Sequence, residues 1–190
     1  LSVYRGLRSG IAYIQDTETV CPVTGVKSYT GEFRQSAEDK SIDVTVKAYP
    51  LHTYPDARLA HSKVQALGNA ENMCTIYGLE VEAGFLFVAM TPTITTLSEH
   101  IAEFQTCPIS VQELCSSLTK SLCHLHAAGI SNSNIRPETL TIDGNDVQYA
   151  DFAHAIVDDK TSETSVKACV VDRHMLACTI LYTLAGGRGT

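Results

Sequence analysis

Charge is scarce in this sequence: 18% of its 190 residues are Asp, Glu, Lys or Arg, and 14 basic against 21 acidic residues leave a net charge of −7. That acidic balance provides no electrostatic footprint for nucleic acid, so no DNA partner is expected. Long apolar runs are missing as well. The longest, Phe85–Met90, has the length of a strand, which excludes a membrane-spanning helix. No basic-then-apolar leader opens the chain. The seven cysteines (Cys21, Cys74, Cys107, Cys115, Cys123, Cys169, Cys178) are odd in number and form no C-x-x-C pair. This argues against a disulfide framework or a zinc site and for an intracellular, cytoplasmic setting. Several of them sit in apolar periodic segments, where buried thiols are expected. His124, His126, His154 and His174 lack tight ligand spacing, so no metal site is expected. Ser131, Ser133 and Ser162 have histidines nearby, but the absence of G-x-S-x-G removes the hydrolase nucleophile elbow.

What is present is an ordinary globular composition, 44% hydrophobic, long enough for one domain or two small lobes. The chain starts at Leu1 and stops at Gly186-Gly-Arg-Gly-Thr190, the expected look of a piece of a longer protein. Strands are expected over Gly10–Gln15, Val26–Phe33 and Ile42–Tyr49, with a polar loop Arg34–Ser41 between the last two. From Pro55 to Leu67, the recurrence of Leu59, Lys63, Val64 and Leu67 predicts a helix, stopped at Gly68-Asn69. Strands over Cys74–Glu80 and Phe85–Met90 follow. After Pro92 the pattern turns helical. Thr96-Leu-Ser-Glu99 and Ser110-Val-Gln-Glu113 have capping-box form. The second box opens an amphipathic helix with Val111, Leu114, Leu118, Leu122 and Leu125 on one stripe, closed by Gly129. Short strands around Thr139–Ile142 and Val147–Ala150 lead into a polar stretch, Asp158–Lys167, whose simplest reading is a solvated loop able to carry phosphosites. A final helix is expected over Val171–Leu184, ending at Gly186-Gly187.

This order resembles the protein kinase superfamily, and particular segments carry the resemblance. Val44-Thr-Val-Lys47 is similar to the strand motif whose lysine pairs with the α- and β-phosphates of ATP. Cys123-His-Leu-His-Ala-Ala-Gly-Ile130 looks like the end of the helix before the catalytic loop. Asn132-Ser-Asn-Ile-Arg-Pro-Glu-Thr-Leu-Thr-Ile142 lies without a gap on H-R-D-L-K-P-x-N-I-L, and Asp151-Phe-Ala153 falls where D-F-G is expected. Val171-Asp172 through Gly186 resembles the F helix, whose aspartate braces the catalytic loop in that family. Within the superfamily, Ile76-Tyr-Gly78, Gly84–Met90 and Thr96-Leu97, with the abrupt step from D-F-x to the F helix, are similar to the kinase-homology domain of RNase L. No nuclease activity is implied, since the ribonuclease module is not part of the match. The resemblance implies an α+β, bilobal fold. Residues 1–91 would form a five-stranded N-lobe with one helix, and residues 92–190 a short helical C-lobe, truncated or minimal, through the F helix.

The departures from the family pattern point to a degraded, catalytically inactive pseudokinase. The catalytic-base position holds Asn134, whose amide cannot accept the substrate hydroxyl proton, and the second magnesium position holds Thr139. Arg136 stands for the loop lysine, and Ala153 for the glycine of D-F-G. The glycine-loop positions hold Cys21, Val23 and Val26, with Gly25 near, so close approach to phosphates is hindered. The helix glutamate is replaced by Lys63, or by His61 in the neighbouring register; Asp56 or Glu71 could substitute only by an unusual path. No A-P-E follows Asp151.

Two roles stay open for the retained Lys47 and Asp151. They could pair with each other as internal bracing, or hold ATP or ADP with magnesium, with Met90 at the gatekeeper position and Thr91 at the first hinge position. Asp172 is expected to be structural, and His126 a packing residue. The leading expectation is a non-enzymatic protein-interaction or regulatory scaffold without a cofactor. Its partner would be another protein, an adjoining domain of a longer chain, or a homo- or heterodimer mate. A nucleotide-binding pseudokinase, its lobes set by ATP or ADP without phosphotransfer, is the alternative.

Overall fold

Up to Met90 the chain alternates apolar and polar residues in short runs, and those runs become strands of one antiparallel sheet in the computed structural model. The structure describes residues 3–21, 24–68, 70–105, 107, 109–144 and 146–186. Its class is α+β, and it divides into two compact units, Leu1–Gly68 with Thr75–Pro92, and Asn69–Cys74 with Thr93–Thr190.

The first unit contains β1 (Tyr4–Gly6), β2 (Ile11–Ile14), β3 (Thr19–Val20), β4 (Lys27–Phe33), β5 (Ile42–Pro50), α1 (Ala57–Leu67), β6 (Ile76–Glu82) and β7 (Phe85–Met90). The strands run in the order β1-β2-β4-β5-β7-β6, with β3 on β4. The expected five strands are therefore seven: β1 and β3, of three and two residues, are too short to show a period. The sheet curls until its two edges meet through side chains. Arg5 of β1 donates to Glu82 of β6 at 2.7 Å, and the Arg8 and Ser9 amides donate to Glu80 at 3.2 and 2.7 Å. Gly31 permits the close approach of β2 and β4 there, because a Cβ would lie 2.3 Å from the Ala12 carbonyl oxygen of the paired strand. Inside the curl, Ile11, Tyr13, Val44, Val46, Ala48, Phe87 and Ala89 form a buried cluster.

The opposite face of β5 carries Thr45, Lys47 and Tyr49, and α1 lies on that side, with the His61 ring 4.7 Å from that of Tyr49. The buried stripe of α1 is Ala57, Ala60, His61 and Val64, spaced i, i+3, i+4, i+7. Leu59 and Lys63, expected to share its apolar face, point to solvent. The helix stops at Gly68, and Asn69 lies outside the described residues.

The second unit contains β8 (Thr95–Thr96), α2 (Leu97–Phe104), α3 (Val111–Ala127), β9 (Ile130–Ser131), β10 (Leu140–Asp143), β11 (Asp146–Tyr149), β12 (Ile156–Val157) and α4 (Glu163–Leu184). Both expected capping boxes form: Thr96 and Ser110 each accept from the backbone N–H of the glutamate three residues on, whose carboxylate accepts from the cap's own N–H. On α3 the apolar stripe buries Leu114, Leu118, Leu122 and Leu125. Gly129 ends the helix at φ +74, where a Cβ would sit 2.6 Å from the Asp158 carbonyl oxygen. The strands form a β11-β10-β8 sheet and a β12-β9 pair. The segment before β6 joins this unit, with Cys74 N–H donating to the Tyr149 carbonyl at 2.9 Å and Tyr149 N–H to the Asn72 carbonyl at 3.0 Å.

The last helix differs from expectation. α4 begins at Glu163, eight residues before Val171, because Ser162 caps it by accepting from Ser165 N–H at 3.0 Å. The second half of the polar stretch Asp158–Lys167 is thus the first turn of a helix rather than a loop, with Ser165 buried and its neighbours exposed. Gly187 lies outside the described residues. All seven cysteines are free; Cys74 is buried, while Cys123 and Cys178 are exposed despite their apolar surroundings in the sequence.

Candidate functional site

Asp172 organises the second unit. It sits on α4 with 0% exposure, an uncommon position for a carboxylate, and its oxygens are fully used. Oδ2 accepts from the Asn132 N–H and from His126 Nε2, both at 2.8 Å, and Oδ1 accepts from the Ser133 N–H at 2.6 Å. α3 positions His126 in its last turn, and the chain leaves that helix directly into β9 and the loop that Asp172 grips. A ring proton on Nε2 is the one consistent with a carboxylate facing it. His126, expected only to pack, is thus a hydrogen-bonding partner of the brace.

Within the loop, Asn132 is the junction that sequence reasoning did not single out. Its Nδ2 donates to the Asp151 carbonyl at 2.9 Å, and its Oδ1 accepts from the Asn134 N–H at 3.1 Å. The sequence placed Asn132 at the head of the loop motif, but its two hydrogen-bond partners follow only from the folded loop. Ser133 takes φ +60, an uncommon backbone state for a side-chain-bearing residue. Asn134 is 4% exposed, and its Nδ2 makes no hydrogen bond. The Thr139 hydroxyl donates to the Asn134 carbonyl at 2.7 Å and accepts from the Arg136 N–H at 3.3 Å. Thr139 therefore closes the loop on itself. Arg136 is half-buried with its Nε unpartnered. The Asp151 carboxylate, also buried, accepts from the Ala153 N–H at 2.9 Å, a local turn that a residue with a Cβ accommodates at Ala153.

These residues, Asn134, Arg136, Thr139, Asp151, Ala153 and Asp172, are brought together in the second unit. Within the cluster the Asp172 carboxylate binds loop backbone and His126, and Asp151 Oδ1 binds the Ala153 N–H. Neither a family model nor a curated protein matches this chain significantly.

Lys47, Met90 and Thr91 belong to the first unit. Lys47 is 8% exposed on β5, opposite Ser28 of β4 and Val88 of β7. Met90 is fully buried at the end of β7. The Thr91 N–H donates to the Thr75 carbonyl at 2.9 Å and its hydroxyl accepts from the Thr75 N–H at 2.9 Å, so the first hinge position is engaged within its own unit. Where a glycine loop was sought, Cys21 N–H donates to Val26 O at 2.9 Å and Gly25 N–H to Cys21 O at 2.8 Å. Val26 is buried, the Tyr54 hydroxyl donates to the Thr24 carbonyl, and Val23 lies outside the described residues. Of the residues considered for the helix glutamate, His61 is buried with Nδ1 2.7 Å from the Ala57 carbonyl oxygen. Glu71 is an exposed partner of Lys120 in the second unit. Among the described residues no group of three or more His, Cys, Asp or Glu could hold a metal, and no helix is long and apolar enough to cross a membrane.

Proposed function

We propose that this chain is a degraded protein-kinase-like domain of bilobal type that performs no phosphotransfer and serves as a protein-interaction or regulatory scaffold. The observation that carries the reading is the three-bond grip of Asp172 on a loop that offers an amide, Asn134, where a kinase needs a carboxylate. The brace that shapes a catalytic loop is intact while the group that would act is not. Thr139 supports the same reading, since its hydroxyl is committed to the loop backbone rather than to an incoming cation. So do Cys21, Val23 and Val26, which stand at the positions where glycines admit phosphates. A kinase-shaped domain without turnover acts by its surface, and the partner is a protein, an adjoining domain, or a second copy, in an intracellular setting.

ATP or ADP binding without turnover is the second reading, favoured by the retention of Lys47 and Asp151 in buried positions. Against it stands the use of Asp151 Oδ1 by the Ala153 N–H.

A phosphotransfer assay on the purified chain tests the main reading. Incorporation of labelled phosphate into a general protein substrate should equal that of a Lys47→Ala variant. Turnover that this substitution abolishes overturns the proposal. Thermal shift with ATP, with and without Mg²⁺, separates the readings: a ligand at about 100 times its dissociation constant stabilises by about 2.7 kcal/mol.

A further inference from the structure

The curl of the first unit leaves one end of the sheet open, and a cavity of about 250 Å³ occupies it. Six strands each present a side chain there, from Arg5 on β1 round to Glu82 on β6. Its inner walls are aromatic. Tyr13 lies 4.7 Å from Tyr29 and stacks on Phe87 at 5.5 Å, and Phe85 follows 6.3 Å beyond Phe87. Ala48 and Ala83 are the smallest side chains on the lining. Tyr13 and Phe87 are packed on their aromatic neighbours and buried, so the partly exposed rings of Tyr29 and Phe85 are the ones open to a further ring in offset or edge contact.

The rim is charged, and its two ion pairs differ. Glu18 is saturated, accepting from Lys27 at 3.1 Å and from the Tyr29 hydroxyl at 2.6 Å. In the Arg5–Glu82 pair one bond of 2.7 Å joins two half-exposed side chains, and Arg5 also hydrogen-bonds to the Tyr13 hydroxyl, which leaves further donors of a guanidinium that carries five. Burial pushes the Tyr13 phenol above its ordinary value, with Arg5 pulling the other way, so this wall is a neutral phenol at physiological pH.

We propose that this cavity binds a small aromatic zwitterion of the free aromatic amino-acid class, its ring against the partly exposed Tyr29 and Phe85, its carboxylate on Arg5 and its ammonium on Glu82. An anion alone would gain Arg5 and meet Glu82, and a cation alone would do the reverse. A ligand carrying both charges on adjacent atoms extends the existing pair into a four-charge ring without leaving either protein charge unmatched. The volume suits one ring and its headgroup and is below that of a drug-sized pocket, which runs from about 300 Å³ upwards. This inference is independent of the pseudokinase reading, since it uses no residue of the nucleotide or loop positions.

Calorimetric titration of the full chain tests it, with L-phenylalanine, phenethylamine, phenylacetate and L-leucine as probes. L-phenylalanine should bind with a millimolar constant, and each of the other three about tenfold more weakly. Arg5→Gln should erase the preference for phenylalanine over phenethylamine by weakening phenylalanine while leaving phenethylamine binding no weaker. Glu82→Gln should erase the preference over phenylacetate in the same way. Both positions are half-exposed, so the variants keep the fold. Ala48→Leu fills the cavity and should abolish binding, with an unchanged near-ultraviolet dichroism spectrum as its folding check. Phenylalanine binding no tighter than leucine, or retained by a folded Ala48→Leu, overturns the site. Equal weakening of phenethylamine and phenylalanine by Arg5→Gln overturns the assignment of the charges.

Discussion

Replacing Asp172 by Asn perturbs the brace with almost no change of shape, and its cost can be worked from the contacts. The carboxylate accepts three hydrogen bonds at 2.6–2.8 Å, from two backbone amides and one imidazole, in a site with no solvent access. An amide keeps one oxygen and puts an NH₂ where the other stood. If that oxygen stays with Asn132 and His126, the new donor faces the Ser133 N–H and both are left unmet. A hydrogen bond to a charged group contributes about 1.5–3 kcal/mol, and an orphaned buried donor costs about 1–3 kcal/mol. Since the terms overlap, Asp172→Asn should destabilise the second unit by about 3 kcal/mol, a large part of a domain's roughly 5–15 kcal/mol. In urea that is a midpoint lowered by about 1–2 M at unchanged slope. The second readout is local: hydrogen exchange at Asn132 and Ser133 should accelerate before that of the β5 and β7 amides of the first unit. His126→Ala removes a donor rather than the acceptor and should cost only about 1 kcal/mol. A loss below roughly 0.5 kcal/mol for Asp172→Asn, or a His126→Ala cost equal to it, would refute the reasoning.

Three other outcomes are expected. The Thr96 backbone N–H, followed by its hydroxyl, holds the Glu99 carboxyl below the ordinary 4.5, against desolvation, so this stabilisation is complete above 4.5 and lost as pH falls through the lowered value; acid titration of helicity should be shallower in Glu99→Gln than in the parent. Gly129→Ala combines a φ of +74 with a Cβ 2.6 Å from the Asp158 carbonyl oxygen, and chemical denaturation should register a loss above about 1 kcal/mol. Asn134→Asp should not create phosphotransfer in the radiolabel assay, because Thr139 remains tied to the loop and the sequence Cys21–Val26 still lacks a glycine run; restored turnover would leave the base as the sole defect.

Much of the fold was legible in the chain itself, wherever the physics is local. The capping boxes at Thr96 and Ser110 need only a hydroxyl and a carboxylate three residues apart, and both formed as spaced. The α3 stripe of Leu114, Leu118, Leu122 and Leu125 and the φ > 0 stop at Gly129 follow from helical period and backbone sterics. β5 and β7 declared themselves by apolar runs bounded by turns. Where neighbours decide, the reading slipped. α1 buries Ala57, Ala60 and His61 rather than Leu59, because the sheet it covers sets which stripe is inward. α4 reaches back to Glu163 because a cap at Ser162 outweighs the polar composition of its first turn. The acidic character of Asp172 was plain in the sequence, but that its three partners come from α3, from Asn132 and from Ser133 was decided only by folding, since such bonds join residues some 40 positions apart. The aromatic cavity between Arg5 and Glu82 was invisible for the same reason. Its walls alternate along separate strands, and only the curl that brings β1 to β6 turns them toward one another.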